Sequence, residues 1–237
     1  MIERLSPNFD TRGGRAIDLV VLHYTGMQDG ETALRRLTDP APVAGAYPGP
    51  WQEKALDPAA PLARVSAHYV MDEAGQAIRV VPEEARAWHA GVSCWEGEEN
   101  VNARAIGVEI VNGGHDFGLP HYPEAQIVGL IQLLRDILRR RDLTPARVVG
   151  HSDIAPGRKA DPGEHFPWKR LAEEGVALWP PAGALSGDDV DAMLSRFGYG
   201  LSAGRTACLA AFQRRFRPAR IDGAADPETL ALLAALT

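Results

Sequence analysis

The feature that most constrains this chain is the run Ala16-Ile17-Asp18-Leu19-Val20-Val21-Leu22-His23. Its apolar residues are mostly consecutive, and the run is short, so it predicts a strand buried inside a sheet. It ends on a histidine, which puts a metal-capable side chain at a strand end. Other segments repeat the pattern. His68–Asp72 and Gln76–Val81 flank Glu73-Ala74-Gly75, a hairpin signal with glycine in the turn. Ala105–Val111 and Arg147–Gly150 read as two further strands.

One long helix is predicted among them. Ile127, Leu130, Ile131, Leu134, Ile137 and Leu138 recur at helical spacing, with Pro123 near the start and Arg139, Arg140 and Arg141 at the end. Proline suits a first helical turn and cations suit the C-terminal end of the helix dipole. The stripe is core. Strands mixed with helices predict an α/β fold, a central mixed β-sheet flanked by helices.

The texture changes after Trp168. Trp179-Pro180-Pro181-Ala182-Gly183-Ala184 reads as a linker, and helical patterns follow over 187–197, 203–216 and 226–236. The last begins Asp226-Pro227-Glu228, an N-cap with proline at the first helical position. We therefore expect two parts, 1–178 and a small three-helix domain over 185–237.

Composition excludes some classes. Lys plus Arg number 25 against 31 Asp plus Glu, a net charge of -6 that argues against nucleic-acid binding. Cys94 and Cys208 form no CxxC pair, so neither a thiolate zinc site nor a disulfide framework is expected, and a single bridge between them has no sequence signal. No stretch approaches ~18 consecutive apolar residues, so no transmembrane helix is expected. The N-terminus shows no signal-peptide apolar region and no lipid-attachment cysteine, which leads us to expect a cytoplasmic protein. A chain whose export signal had been removed would read the same way and belong to the periplasm or cell envelope.

The candidate chemistry lies in a few of the seven histidines. His23 closes the first strand, His151 follows Val148-Val149, and Asp161 lies ten positions later in a loop punctuated by Pro156, Gly157, Pro162 and Gly163. Two histidines and one carboxylate, with a fourth position left for water, form the ligand set of a catalytic zinc. No HExxH occurs, and a histidine at a strand end is more often a hydrogen-bonded core residue. On these residues alone both readings stand.

Five blocks occur along the chain: Val20-Val21-Leu22-His23-Tyr24-Thr25, Arg64-Val65-Ser66-Ala67-His68-Tyr69, Ala87-Trp88-His89-Ala90-Gly91, Ile106-Gly107-Val108-Glu109-Ile110, and the segment from Gly150 to Gly163, GHSDIAPGRKADPG, followed by Phe166-Pro167-Trp168. In this order, over about residues 16 to 170, they resemble the zinc-dependent N-acetylmuramoyl-L-alanine amidases of the type-2 amidase and peptidoglycan-recognition-protein family. The resemblance implies hydrolysis of the amide between N-acetylmuramic (or 1,6-anhydro-N-acetylmuramic) acid and L-alanine in peptidoglycan or muropeptides. It implies one zinc ion per chain, held by His23, His151 and Asp161. Glu109 falls at the family's catalytic glutamate and Lys159 at the position that stabilises the oxyanion. By the same resemblance Arg64, His68, Trp88 and His89 wall the substrate cleft. His115, His121 and His165 are given no role.

The alternative from another class is a recognition protein that binds peptidoglycan without cutting it; Asp161, Glu109 and Lys159 together weigh against that. Phe197-Gly198-Tyr199-Gly200, Ala211-Phe212-Gln213-Arg214-Arg215-Phe216, Ile221-Asp222-Gly223 and Asp226-Pro227-Glu228-Thr229 resemble a three-helix peptidoglycan-binding module. A helical appendage that only packs on the catalytic part is the competing reading. The missing export signal favours soluble anhydromuropeptides as substrate, whereas a binding module favours polymeric wall.

Overall fold

The computed structural model describes residues 2–47, 57–181 and 189–237. Its strands are β1 (Ile2–Glu3), β2 (Phe9–Thr11), β3 (Leu19–Tyr24), β4 (Tyr69–Met71), β5 (Ala77–Arg79), β6 (Ala85–Ala87), β7 (Cys94–Trp95), β8 (Glu98–Glu99), β9 (Ala105–Ile110) and β10 (Val148–Gly150). Six of them form the central sheet in the order β1-β5-β4-β9-β3-β10. The β4–β5 hairpin is antiparallel and the other pairings are parallel, so the sheet is mixed. The helices are α1 (Gly30–Thr38), α2 (Glu124–Arg141), α3 (His151–Ile154), α4 (Trp168–Glu173), α5 (Val190–Phe197), α6 (Arg205–Phe216) and α7 (Pro227–Ala234).

Consecutive apolar residues in β3 serve two faces because strand side chains alternate. Val20 and Leu22 join Ile106, Val108 and Ile110 of β9 under α2, whose Leu130, Leu134 and Ile137 are fully buried. Leu19, Val21, Ala105 and Val149 point the other way, into a core shared with Met193, Leu194, Leu209, Phe212 and Phe216 of the C-terminal helices. A third cluster seats Leu34 and Leu37 of α1 over Val70 and Ile78. The C-terminal helices thus cover the face opposite α2.

Local signals set the helix ends. Pro123 caps α2, and Arg139 to Arg141 occupy its last turn. The Asp226 carboxylate accepts the Thr229 N–H at 2.9 Å and opens α7. Helix α1 was not foreseen: it has nine residues and few apolar ones, and its clearest mark is Asp29, which accepts the Thr32 N–H at 2.7 Å. Both cysteines are free thiols. The expected linker lies partly outside the described residues, but Trp179 at its start packs on Phe216, ring centres 5.7 Å apart. No helix among the described residues is long and apolar enough to cross a membrane.

Candidate active site

The register of three parallel strands brings the chemistry together. His23 on β3 pairs with Glu109 on β9. Gly150 of β10 pairs with Leu22, so the next residue, His151, arrives beside His23. By alternation these side chains leave the sheet on the face away from α2. The chain after α3 then returns Asp161, whose carbonyl accepts the Ser152 N–H at 2.9 Å. His23, Glu109, His151, Lys159 and Asp161 all line one cavity of about 500 Å³. It sits at the carboxyl ends of the parallel strands, where open α/β sheets place their ligands.

Among the described residues, His23, His151 and Asp161 form the one group of three or more that could hold a metal ion. Their facing atoms form a small triangle. His23 Nδ1 is 2.9 Å from His151 Nδ1 and 3.0 Å from Asp161 Oδ2, and His151 Nδ1 is 2.9 Å from that same oxygen. Hydrogen bonds on the far sides assign the protons. His151 Nε2 donates to the Ala90 carbonyl at 3.0 Å, which leaves a lone pair on Nδ1. His23 Nε2 faces His89 Nδ1 at 3.0 Å, and a proton there leaves His23 Nδ1 as a lone pair too. Burial, then the proximity of His151, pushes the His23 imidazole down to about 4, so it is neutral near pH ~7. Burial acts to raise the Asp161 carboxyl, but His151 and His23 outweigh it and hold the group well below the usual carboxylate range. Three lone-pair atoms this close repel one another unless a cation lies among them; the donor set fits a small metal ion.

Glu109 occupies the same wall. Its Oε2 is buried with no hydrogen-bond partner among the described residues. Burial first, and the Asp161 charge second, push its carboxyl well above the usual range, against the pull of Lys159. Lys159 stands exposed at the rim.

The other expected residues separate. His89 lines the cavity and backs His23. It lies flat on β9 because residue 107 is glycine: a Cβ there would sit 2.4 Å from His89 Cγ. His68 is fully buried and does not reach the cavity wall. Its Nδ1 accepts the Gly107 N–H at 2.9 Å, and its Nε2 lies 2.7 Å from the Arg12 guanidinium. Arg64 stacks 5.0 Å over the Trp88 ring, and neither lines the cavity.

Several residues on the wall were not singled out from the sequence. Tyr24 and His115 are joined by a 2.9 Å hydrogen bond between the hydroxyl and Nδ1, and Asp116 follows. Their one sequence signal is Gly113-Gly114: Gly114 has φ 62, and a Cβ on it would strike the Tyr24 ring at 2.5 Å. Arg36 reaches the wall from α1. Arg158 ties the two site loops together, donating to the carbonyls of Ala90 at 2.7 Å and Val92 at 2.6 Å.

Comparison with known proteins agrees with this arrangement. A family model described as N-acetylmuramoyl-L-alanine amidase matches residues 13–164. The N-acetylmuramoyl-L-alanine amidase AmiD of Escherichia coli (strain K12) is 36% identical over 244 residues, covering 93% of this chain and 82% of that protein. The 1,6-anhydro-N-acetylmuramyl-L-alanine amidase AmpD of Haemophilus influenzae is 34% identical, over 70% of this chain and 86% of its own. The solved complex of the E. coli AmiD with the substrate anhydro-N-acetylmuramic acid-L-Ala-D-gamma-Glu-L-Lys superposes with a TM-score of 0.75 at 32% identity, covering 98% of this chain and 91% of that one. AmpDh3 of Pseudomonas aeruginosa, in complex with anhydromuramic pentapeptide, gives 0.76 at 35% identity, covering 98% and 94%. With a lone-pair triangle, a glutamate oxygen left unpaired and a family match over more than half of its length, this chain belongs to the N-acetylmuramoyl-L-alanine amidase family.

Proposed function

We propose that this chain hydrolyses the amide joining N-acetylmuramic or 1,6-anhydro-N-acetylmuramic acid to L-alanine, with one zinc ion held by His23, His151 and Asp161. The carrying observation is the triangle of three lone-pair atoms with the unpartnered Glu109 carboxyl on the same wall. Two imidazole nitrogens and one carboxylate oxygen suit zinc in a three-ligand catalytic arrangement. When bound, the ion supplies Lewis acidity and lowers the pKa of water to ~7.

The chain's own residues do the rest. Glu109 takes the proton of the attacking water and delivers it to the L-alanine nitrogen as the C–N bond breaks. Its raised proton affinity suits it to carry that proton, and its lack of a competing partner leaves the oxygen free to do so. The Lys159 ammonium faces the charge that develops on the carbonyl oxygen. His89 and the Ala90 carbonyl hold His23 and His151 in the tautomers that expose Nδ1. Arg64 and Trp88 offer a stacked cation and ring outside the cavity for the sugar or peptide, and His68 supports the strand beneath His89. A binding-only role would have no use for a carboxyl with a buried, unpaired oxygen. We also propose a chain divided into a catalytic part, 1–178, and a helical part, 185–237.

Turnover of soluble anhydromuramyl peptides and of purified sacculi tests the proposal and selects the substrate form. The bound ligands of the AmiD and AmpDh3 complexes make the soluble peptide the natural first choice. Faster cleavage of the soluble substrate assigns muropeptide recycling, and faster cleavage of sacculi assigns wall degradation. Cleavage of neither would sink it.

A further inference from the structure

We infer that Arg215, on α6, is a positioning residue for His151, and that the C-terminal helices thereby form part of the metal centre. The inference rests on the zinc reading above.

His151 is buried at the edge of the sheet. β10 is its last strand, with β3 as its one neighbour, and His151 is the first residue past it. Arg215 fills the open side. Its Nη2 donates to the Val148 carbonyl at 3.1 Å, and its Nη1 donates to Asp153 Oδ2 at 2.9 Å. One guanidinium therefore grips both arms of the β10–α3 corner that carries the ligand. Asp153 extends the grip: the same Oδ2 accepts the Gly150 N–H at 2.8 Å, and Oδ1 accepts the Tyr199 hydroxyl at 2.7 Å. The Arg215 and Asp153 side chains are 2% and 0% exposed. The guanidinium carbon lies over the rings of Trp168 and Phe216, 4.2 and 4.7 Å from their centres.

Stability alone does not explain this arrangement. A buried ion pair offsets its own desolvation poorly, and well-packed apolar residues often serve as well or better. The planar fork of an arginine does fix directions, which an apolar pair does not. The direction matters here because His151 must keep Nε2 on the Ala90 carbonyl and Nδ1 in the triangle at once. The partners come from α6 and from Tyr199 just after α5, so the C-terminal helices hold the ligand's mount in place.

The test uses full-length Arg215→Met, Arg215→Lys and the double variant Asp153→Leu/Arg215→Met. Zinc affinity is measured by chelator competition, alongside the melting temperature of each metal-free protein. Arg215→Met is expected to weaken zinc binding by ~10–100-fold, the range for partners that orient a ligand, with Arg215→Lys recovering part of it. The double variant removes both buried charges but strands the Gly150 N–H and the Tyr199 hydroxyl, so its metal-free melting temperature is expected to fall, with zinc affinity still lost at temperatures where it is fully folded. A folded double variant with wild-type zinc affinity would overturn the inference. So would affinity losses that track melting temperature alone across the three proteins. A wild type that takes up no zinc overturns the zinc reading and this inference with it.

Discussion

Glu83 and Glu109 each hold a carboxylate oxygen away from water, and they are opposites. Glu83 accepts hydrogen bonds from the Tyr69 hydroxyl at 2.7 Å and Arg141 Nε at 2.7 Å, and is paired with Arg140 as well. Burial acts to raise its carboxyl, but those donors outweigh it and bring the group down to about 2. Glu109 has a buried oxygen with no donor among the described residues and moves the other way. Burial is common to both; the supply of donors decides the direction. A carboxylate with its lone pairs filled is a strut joining β4, the turn before β6 and the end of α2. One left without a donor beside the His23–His151–Asp161 triangle is the proton carrier of the proposed mechanism.

Removing the triangle's own carboxylate should have the largest effect. Asp161→Ala is expected to lose bound zinc and to lower turnover by more than the ~100-fold seen for residues that only orient a ligand. Unchanged metal content with normal activity would remove Asp161 from the site. Glu109→Gln should retain zinc and lose ~10²–10⁴-fold in turnover, with its melting temperature unchanged or raised, because an unpaired buried acid is gone. If turnover survives, Glu109 is not the proton carrier. Glu83→Gln should do the reverse. It strands two arginines and is expected to cost about 3 kcal/mol, the low end for a broken buried pair because the arginines are partly in water. For a chain of this size that lowers the melting temperature by roughly 6–12 °C. Its turnover per folded molecule should match wild type.

The smallest effect is one of pH. The folded-state value of Glu83 lies below its unfolded value near ~4.3, so its contribution is complete above that pH. It is lost as pH falls through that value toward about 2, where the folded group titrates. The stability gap between wild type and Glu83→Gln, read from urea midpoints, should therefore narrow over that acid range. A constant gap would mean that ionised Glu83 is not the strut.

The sequence carried the fold further than the site. β3 and α2 were legible because their apolar spacing matches one period each, and Pro123 and Arg139 to Arg141 mark the helix ends. α1, α3 and α4 were missed, being short and held by tertiary packing more than by their own pattern. Spacing could bring His23 and His151 to strand ends but could not say that their rings meet; the register of β3 with β9 and β10 does that. His68 shows the limit. It sits in a recognisable block, yet strand sequence does not say whether a polar residue faces a cleft or plugs the gap under a glycine, and here it accepts the Gly107 N–H. Nor did the linker signal after Trp168 reveal that the C-terminal helices share a core with β3.

This cavity is proposed to cut one bond with a metal held by His23, His151 and Asp161. Mass spectrometry of an anhydromuramyl tripeptide incubated with zinc-loaded, chelator-stripped and zinc-restored protein tests it most directly. The expected products are an intact anhydromuramic acid and a peptide with a free L-alanine amine, formed with zinc, absent after stripping and regained on restoration. Cleavage within the peptide, or the same products at the same rate without metal, would contradict it.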